Sequence, residues 1–191
     1  MEMPQLPLEA VGAMEALAAT LDCNDFDLLL AGDGSGTTYS QPAGWACVAF
    51  DRVKAQVTLH AASQSCGTNN FAELAPFVQA LWHHHQDSGP VVKPPLKVTI
   101  VSDSELTVRC GNRQYHRSAN GCLWAGIAWF EQHGYELTWK HIRRNTNAWA
   151  TWLDELAKIG RCLMEEMLKI APSSPTGVLI GTEIANNTPP G

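Results

Sequence analysis

Four acidic residues stand in four short motifs, each far from the others along the chain. Asp33 lies in Gly32-Asp33-Gly34-Ser35-Gly36, and Glu73 in Thr68-Asn69-Asn70-Phe71-Ala72-Glu73-Leu74. Asp103 lies in Ser102-Asp103-Ser104, and Asp154 in Asp154-Glu155-Leu156-Ala157. Carboxylates so far apart act together only if a fold gathers them. Once gathered they repel one another unless a hard divalent cation neutralises them. Such a cluster points to a Mg²⁺ or Mn²⁺ site for phosphoryl chemistry. Taken singly, each acid has a blander reading as a helix cap or turn residue.

The elements that must position these acids follow from hydrophobic periodicity. Leu8, Val11, Met14, Leu17 and Leu21 fall at helical spacing in residues 1–24. Residues 27–31 are a compact apolar run ending at Gly32-Asp33-Gly34, the pattern of a strand entering a turn. Two more strands are expected over 45–50 and 53–61, joined by a tight turn near Asp51-Arg52. A helix over 70–86 places Phe71, Leu74, Phe77, Val78 and Leu81 on one face. The apolar run 96–101 is a buried strand, followed by short helices over 104–109 and 120–132. A strand over 135–142 and a helix over 147–170 complete the pattern.

The order β-β-β-α-β-α-α-β-α implies an α/β fold: an antiparallel meander, then alternating helix and strand, with helices on both faces of a mixed sheet. Asp33 then lies at the end of the first strand and Asp103 at the carboxyl end of the fourth. If those strands are adjacent and parallel, both side chains meet at one sheet edge, where Glu73 in the first turn of the long helix can join them.

Composition narrows the class. With 191 residues and 45% hydrophobic content, the chain suits one domain with modest extensions. The division expected is 1–24 as an N-terminal extension, 25–170 as the catalytic domain, and 171–191 as a mobile tail rich in Ser, Pro, Thr, Gly and Asn. Six cysteines without a Cys-x-x-Cys pair suggest a reduced, cytoplasmic protein with small buried thiols. No segment is apolar enough to span a membrane, and the first residues do not resemble a secretion signal. The net charge of −6 argues against a protein that coats nucleic acid nonspecifically. Two local basic clusters remain: Arg109, Arg113 and Arg117, and Lys140, Arg143 and Arg144. His83-His84-His85 is read as a polar helix end, because successive helical residues diverge by about 100° and cannot chelate one ion.

The four motifs, in this order, together with Asn120-x-x-Leu123-Trp124 and the stretch 141–157, resemble the type 1 ribonuclease H family over about residues 25–165. The resemblance implies an RNase H-like fold with a five-stranded mixed sheet. It implies an endonuclease that cuts the RNA strand of an RNA–DNA hybrid, acting as a monomer. It further implies two Mg²⁺ (or Mn²⁺) ions, one activating water and the other stabilising the leaving 3′ oxygen. Asp33 would bridge them, with Glu73 and Asp103 completing the shell. By analogy, the amides of Gly34, Ser35, Asn69 and Asn70 would contact the RNA 2′-OH in the minor groove. Helix N-capping is the other role open to Asn69 and Asn70. Trp124, Arg113 and Arg117 resemble the region that tracks the DNA strand, although the family's longer basic extension is absent. Trp124 is equally an ordinary core residue.

Two alignments compete for the fourth acid. Counting from Asn147 without a gap puts Thr151 where the family has Asp, whereas three extra residues bring Asp154 there. Asp154 is favoured, since i and i+3 share a helix face. Thr151-x-x-Asp154 could instead be a capping box. The loop Arg143-Arg144-Asn145-Thr146 lacks the family's mobile His, so product release would fall to Arg144 or Asn145, while His141 belongs to a strand. The competing readings are a catalytically weak or inactive nucleic-acid-binding module and a reverse-transcriptase-associated module.

Overall fold

In the computed structural model, residues 10–89, 95–144, 148–170 and 178–186 are described. β1 (Leu28–Ser35), β2 (Ala43–Asp51) and β3 (Gln56–Gln64) form the antiparallel meander, and β4 (Leu96–Ser102) and β5 (Tyr135–His141) follow. The helices are α1 (Ala10–Thr20), α2 (Asn69–Ser88), α3 (Glu105–Gly111), α4 (Gly121–Gln132) and α5 (Ala148–Ile170). β1 pairs antiparallel with β2 and parallel with β4, and β4 pairs parallel with β5. The five expected strands thus form the expected mixed sheet, in the order β5-β4-β1-β2-β3.

Alternation along β1 sorts the core into two layers. Leu28 and Leu30 pack with Leu74, Phe77 and Leu81 of α2 and with Ile127 and Phe130 of α4. Leu29 and Ala31 pack with Met14 and Leu17 of α1 and with Leu153 and Leu156 of α5. By the same alternation Asp33 falls on the α1/α5 side, while Gly32 and Gly34 face α2.

Two details differ from the sequence reading. The third strand starts at Gln56, not at Val53: Arg52–Ala55 form the turn, closed by the Lys54 N–H donating to Asp51 Oδ1 at 3.0 Å. Ala55 takes a left-handed conformation (φ 50°), and Val53 is 80% exposed despite its strand-forming side chain. In addition, β6 (Val178–Asn186) pairs antiparallel with β3 and makes the sheet six-stranded. That strand comes from the stretch expected to be a mobile tail.

Candidate active site

The parallel β1–β4 pairing sets the site. Ala31 stands opposite Val101, so two residues further along each strand come Asp33 and Asp103. Glu73 arrives from the other layer on the first turns of α2. Its approach is permitted by Gly34: a Cβ there would lie 2.1 Å from the Ala72 carbonyl carbon and 2.5 Å from the Glu73 nitrogen. Oxygens of Asp33, Glu73 and Asp103 all lie within 4.8 Å of one another. Asp33 is 3% exposed and Glu73 2% exposed.

Each acid is held by its own motif. Thr68 Oγ1 caps α2 by accepting from the Phe71 N–H at 3.2 Å, so neither Asn69 nor Asn70 is the cap. Asn69 instead links two parts of the site. Its Nδ2 donates to Glu73 Oε1 at 3.2 Å, and its Oδ1 accepts from the Gly36 N–H at 3.2 Å. Asp33 Oδ1 accepts from the Gly34 N–H at 2.8 Å. The Asp103 turn is fixed by Ser102 Oγ accepting from the Ser104 N–H, and by His141 Nε2 lying 3.1 Å from the Asp103 carbonyl oxygen.

The electrostatics are those of crowded, buried acids. Burial, then the charge of Asp103, pushes Asp33 up to about 7 against the opposing Gly34 N–H. Burial, then Asp33 and Asp103, pushes Glu73 up to about 9. Glu73 Oε2 and Asp103 Oδ1 are buried without a hydrogen-bond partner. Orphaned oxygens on like-charged carboxylates fit a hard divalent cation, which takes oxygen ligands and cancels the repulsion.

Asp154 lies outside this three-acid group. It sits half-buried on α5, one turn beyond Ala150, and its charge still acts on Asp33. Lys158 Nζ pairs with Asp154 Oδ2 at 2.5 Å. Thr151 is exposed. Arg144 Nε donates to Asp103 Oδ2 at 2.8 Å. Asn145 and Asn147 lie outside the described residues.

The expected nucleic-acid residues divide. Gly34 and Ser35 are buried in β1, whereas Asn70 is exposed. Asn70, Arg117, Asn120 and Trp124 line one groove with Leu106 and His116. Trp124 is 7% exposed, packs in the core against Trp139, and carries the Arg117 guanidinium 4.5 Å above its ring. Arg117 also donates to the carbonyls of Cys110 and Gly111 and pairs with Glu131 at 3.3 Å. Arg113 is exposed and pairs with Glu131 at 2.7 Å. Of the three consecutive histidines, His83 stacks on His60, His84 faces Asp51, and His85 packs against Trp129, with His84 and His85 both beside the Tyr135 hydroxyl.

Sequence reasoning missed the bridging role of Asn69 and the Lys158 cation beside Asp154; it named Arg144, but for product release and not as the partner of Asp103. The Asn69–Glu73 separation of one helical turn was a signal for the first, and the Asp154–Lys158 spacing for the second.

A mixed sheet with a carboxylate cluster where β1 and β4 end defines an RNase H-like α/β protein. No family model and no curated protein matches the sequence. Among solved structures, the N-terminal RNase H domain of rv2228c from Mycobacterium tuberculosis matches with TM-score 0.61 and 16% identity, over 75% of this chain and 99% of that one. LC11-RNase H1 in complex with an RNA/DNA hybrid matches with TM-score 0.60 and 25% identity, over 71% and 97%. Another structure of LC11-RNase H1, isolated from compost by a metagenomic approach, matches at TM-score 0.55 and 27% identity, over 71% and 98%. The chain has the RNase H-like fold of these structures. Among the described residues, no helix is long and apolar enough to cross a membrane.

Proposed function

We propose that the chain is an endonuclease that hydrolyses the RNA strand of RNA–DNA hybrids with two divalent cations, Mg²⁺ or Mn²⁺. The observation that carries this reading is the convergence of Asp33, Glu73 and Asp103 within 4.8 Å, with Glu73 Oε2 and Asp103 Oδ1 buried and unpartnered. Likeness to LC11-RNase H1, a protein solved with an RNA/DNA hybrid, supports the substrate class.

Asp33, Glu73 and Asp103 would hold the cations, with Asp154 completing the set from α5. When bound, the cations supply an activated water and charge for the leaving 3′ oxygen. Asn69 orients Glu73 and ties it to the Gly36 turn, so the ligand set is preorganised before substrate arrives. Asn70, exposed at the start of α2, would read the RNA 2′-OH, whereas Gly34 and Ser35 are buried in β1 and the Gly34 N–H is committed to Asp33. Arg113 and the groove edged by Trp124 would follow the DNA strand, and Arg144 would meet a phosphate beside Asp103. We assign the catalytic unit to residues 25–170.

The Asp154–Lys158 ion pair favours one alternative, a catalytically weak hybrid-binding module. One assay separates the two. Pure protein is incubated with an end-labelled hybrid and Mg²⁺ or Mn²⁺, beside an EDTA control. Cleavage of the RNA strand above the control is expected. No cleavage in either metal rejects the enzyme, and retained hybrid affinity then selects the binding module.

A further inference from the structure

We propose that Arg144 is a resident counter-ion of the carboxylate cluster, competing with divalent cations for Asp103 and so tying cation uptake to the arrival of a phosphate backbone. The proposal rests on the metal-site reading above. Arg144 Nε holds Asp103 Oδ2 at 2.8 Å, and the two partners are unequal: the Asp103 side chain is 5% exposed and that of Arg144 is 64% exposed. The carboxylate is fixed, and the guanidinium sits on a long stem with most of its surface in water. Its charge also acts on Glu73 and Asp33. It therefore neutralises part of the acidic cluster.

The oxygen inventory shows what this costs a cation. Glu73 Oε2 and Asp103 Oδ1 are buried and open, whereas Asp103 Oδ2 is held by Arg144. A divalent cation seated among these oxygens faces the guanidinium as a like charge at short range. Arg144 must then leave Asp103. The freed guanidinium is a planar fork suited to a phosphate, and its surface is already open to solvent. A nucleic-acid backbone that captures it favours the displaced state. By linkage, hybrid and cation then tighten one another by the same factor.

The test is binding of MnCl₂ by calorimetry, without nucleic acid, to wild type, Arg144→Gln and Lys169→Gln. Lys169 pairs with Glu166 near the far end of α5 and serves as a charge-matched control. Arg144→Gln is expected to bind Mn²⁺ about two- to fivefold more tightly, as loss of a partly exposed ion pair implies, while Lys169→Gln matches wild type. With a cleavage-resistant hybrid carrying 2′-fluoro groups on its RNA strand, wild type should show mutual tightening with Mn²⁺, and Arg144→Gln should lose most of it. Equal or weaker Mn²⁺ binding by Arg144→Gln, or an equal gain in Lys169→Gln, overturns the proposal. If wild type still binds Mn²⁺ and cleaves hybrid, the nuclease reading survives that result. Absence of Mn²⁺ binding by wild type and by Arg144→Gln, without and with the hybrid alike, overturns both.

Discussion

Gly34 of β1 and Ala72 of α2 stand so close that a Cβ on Gly34 would lie 2.1 Å from the Ala72 carbonyl carbon and 2.3 Å from its oxygen. These are backbone atoms on the turn that carries Glu73, so they cannot swing aside as a side chain would. Gly34→Ala is therefore expected to push the start of α2 away from β1 and to separate Glu73 from Asp33. Overpacking of this kind costs about 1–3 kcal/mol. Thermal unfolding should show the lowered midpoint, and Mn²⁺ should raise that midpoint less than in wild type. A variant with both wild-type stability and wild-type metal response would show that the contact does not position Glu73.

The raised acids make metal-free stability depend on pH. A carboxyl whose folded value exceeds its unfolded one binds its proton more tightly when folded. Its contribution is present in full below the unfolded values of 3.8 for Asp33 and 4.5 for Glu73. It is lost as pH rises through about 7 for Asp33 and about 9 for Glu73. In EDTA, the unfolding midpoint of wild type should fall from this source across that window. Glu73→Gln should flatten the fall and be more stable than wild type at the alkaline end, while losing metal binding. An unchanged pH slope in Glu73→Gln would assign the dependence to other groups.

The central geometry was legible because it is local and periodic. Apolar runs ending at Asp33 and Asp103 mark two strand ends; the antiparallel meander returns β3 in the direction of β1, and the α2 crossover from β3 then brings β4 in parallel to β1. What escaped depends on contacts distant in sequence or on a turn. The pairing of β6 requires the free edge of β3, and nothing in the tail's composition announces that edge. Val53 is a good strand residue, but the Asp51 side chain and a left-handed Ala55 turn the chain first. The capping reading of Asn69-Asn70 failed because Thr68, one residue earlier, takes the cap and releases Asn69 to hold Glu73.

The choice between Asp154 and Thr151 can now be put to a rate measurement. Asp154 is half-buried and its charge acts on Asp33, whereas Thr151 is exposed. Asp154→Asn is expected to lower hybrid cleavage by about 10- to 100-fold or more, as for a group that tunes a metal site. Thr151→Ala should change it little. Single-turnover rates in Mg²⁺ decide the matter, and the opposite ranking would move the fourth position to Thr151.

Glu131 offers a change in the direction of gain. It pairs with Arg113 at 2.7 Å and with Arg117 at 3.3 Å, so one carboxylate offsets both guanidiniums of the connection after α3. Arg117 is anchored further by the Cys110 and Gly111 carbonyls and by the Trp124 ring, and it keeps its place without Glu131. Arg113 has no other ion pair among the described residues, and its side chain is 69% exposed. Glu131→Gln should therefore leave the fold intact and free Arg113 for a phosphate. Each added phosphate contact steepens the salt dependence of log K by about one. Hybrid affinity measured over a salt series should accordingly rise at low salt and converge on wild type at high salt. Parallel salt lines for the two proteins would place Arg113 away from the nucleic-acid path.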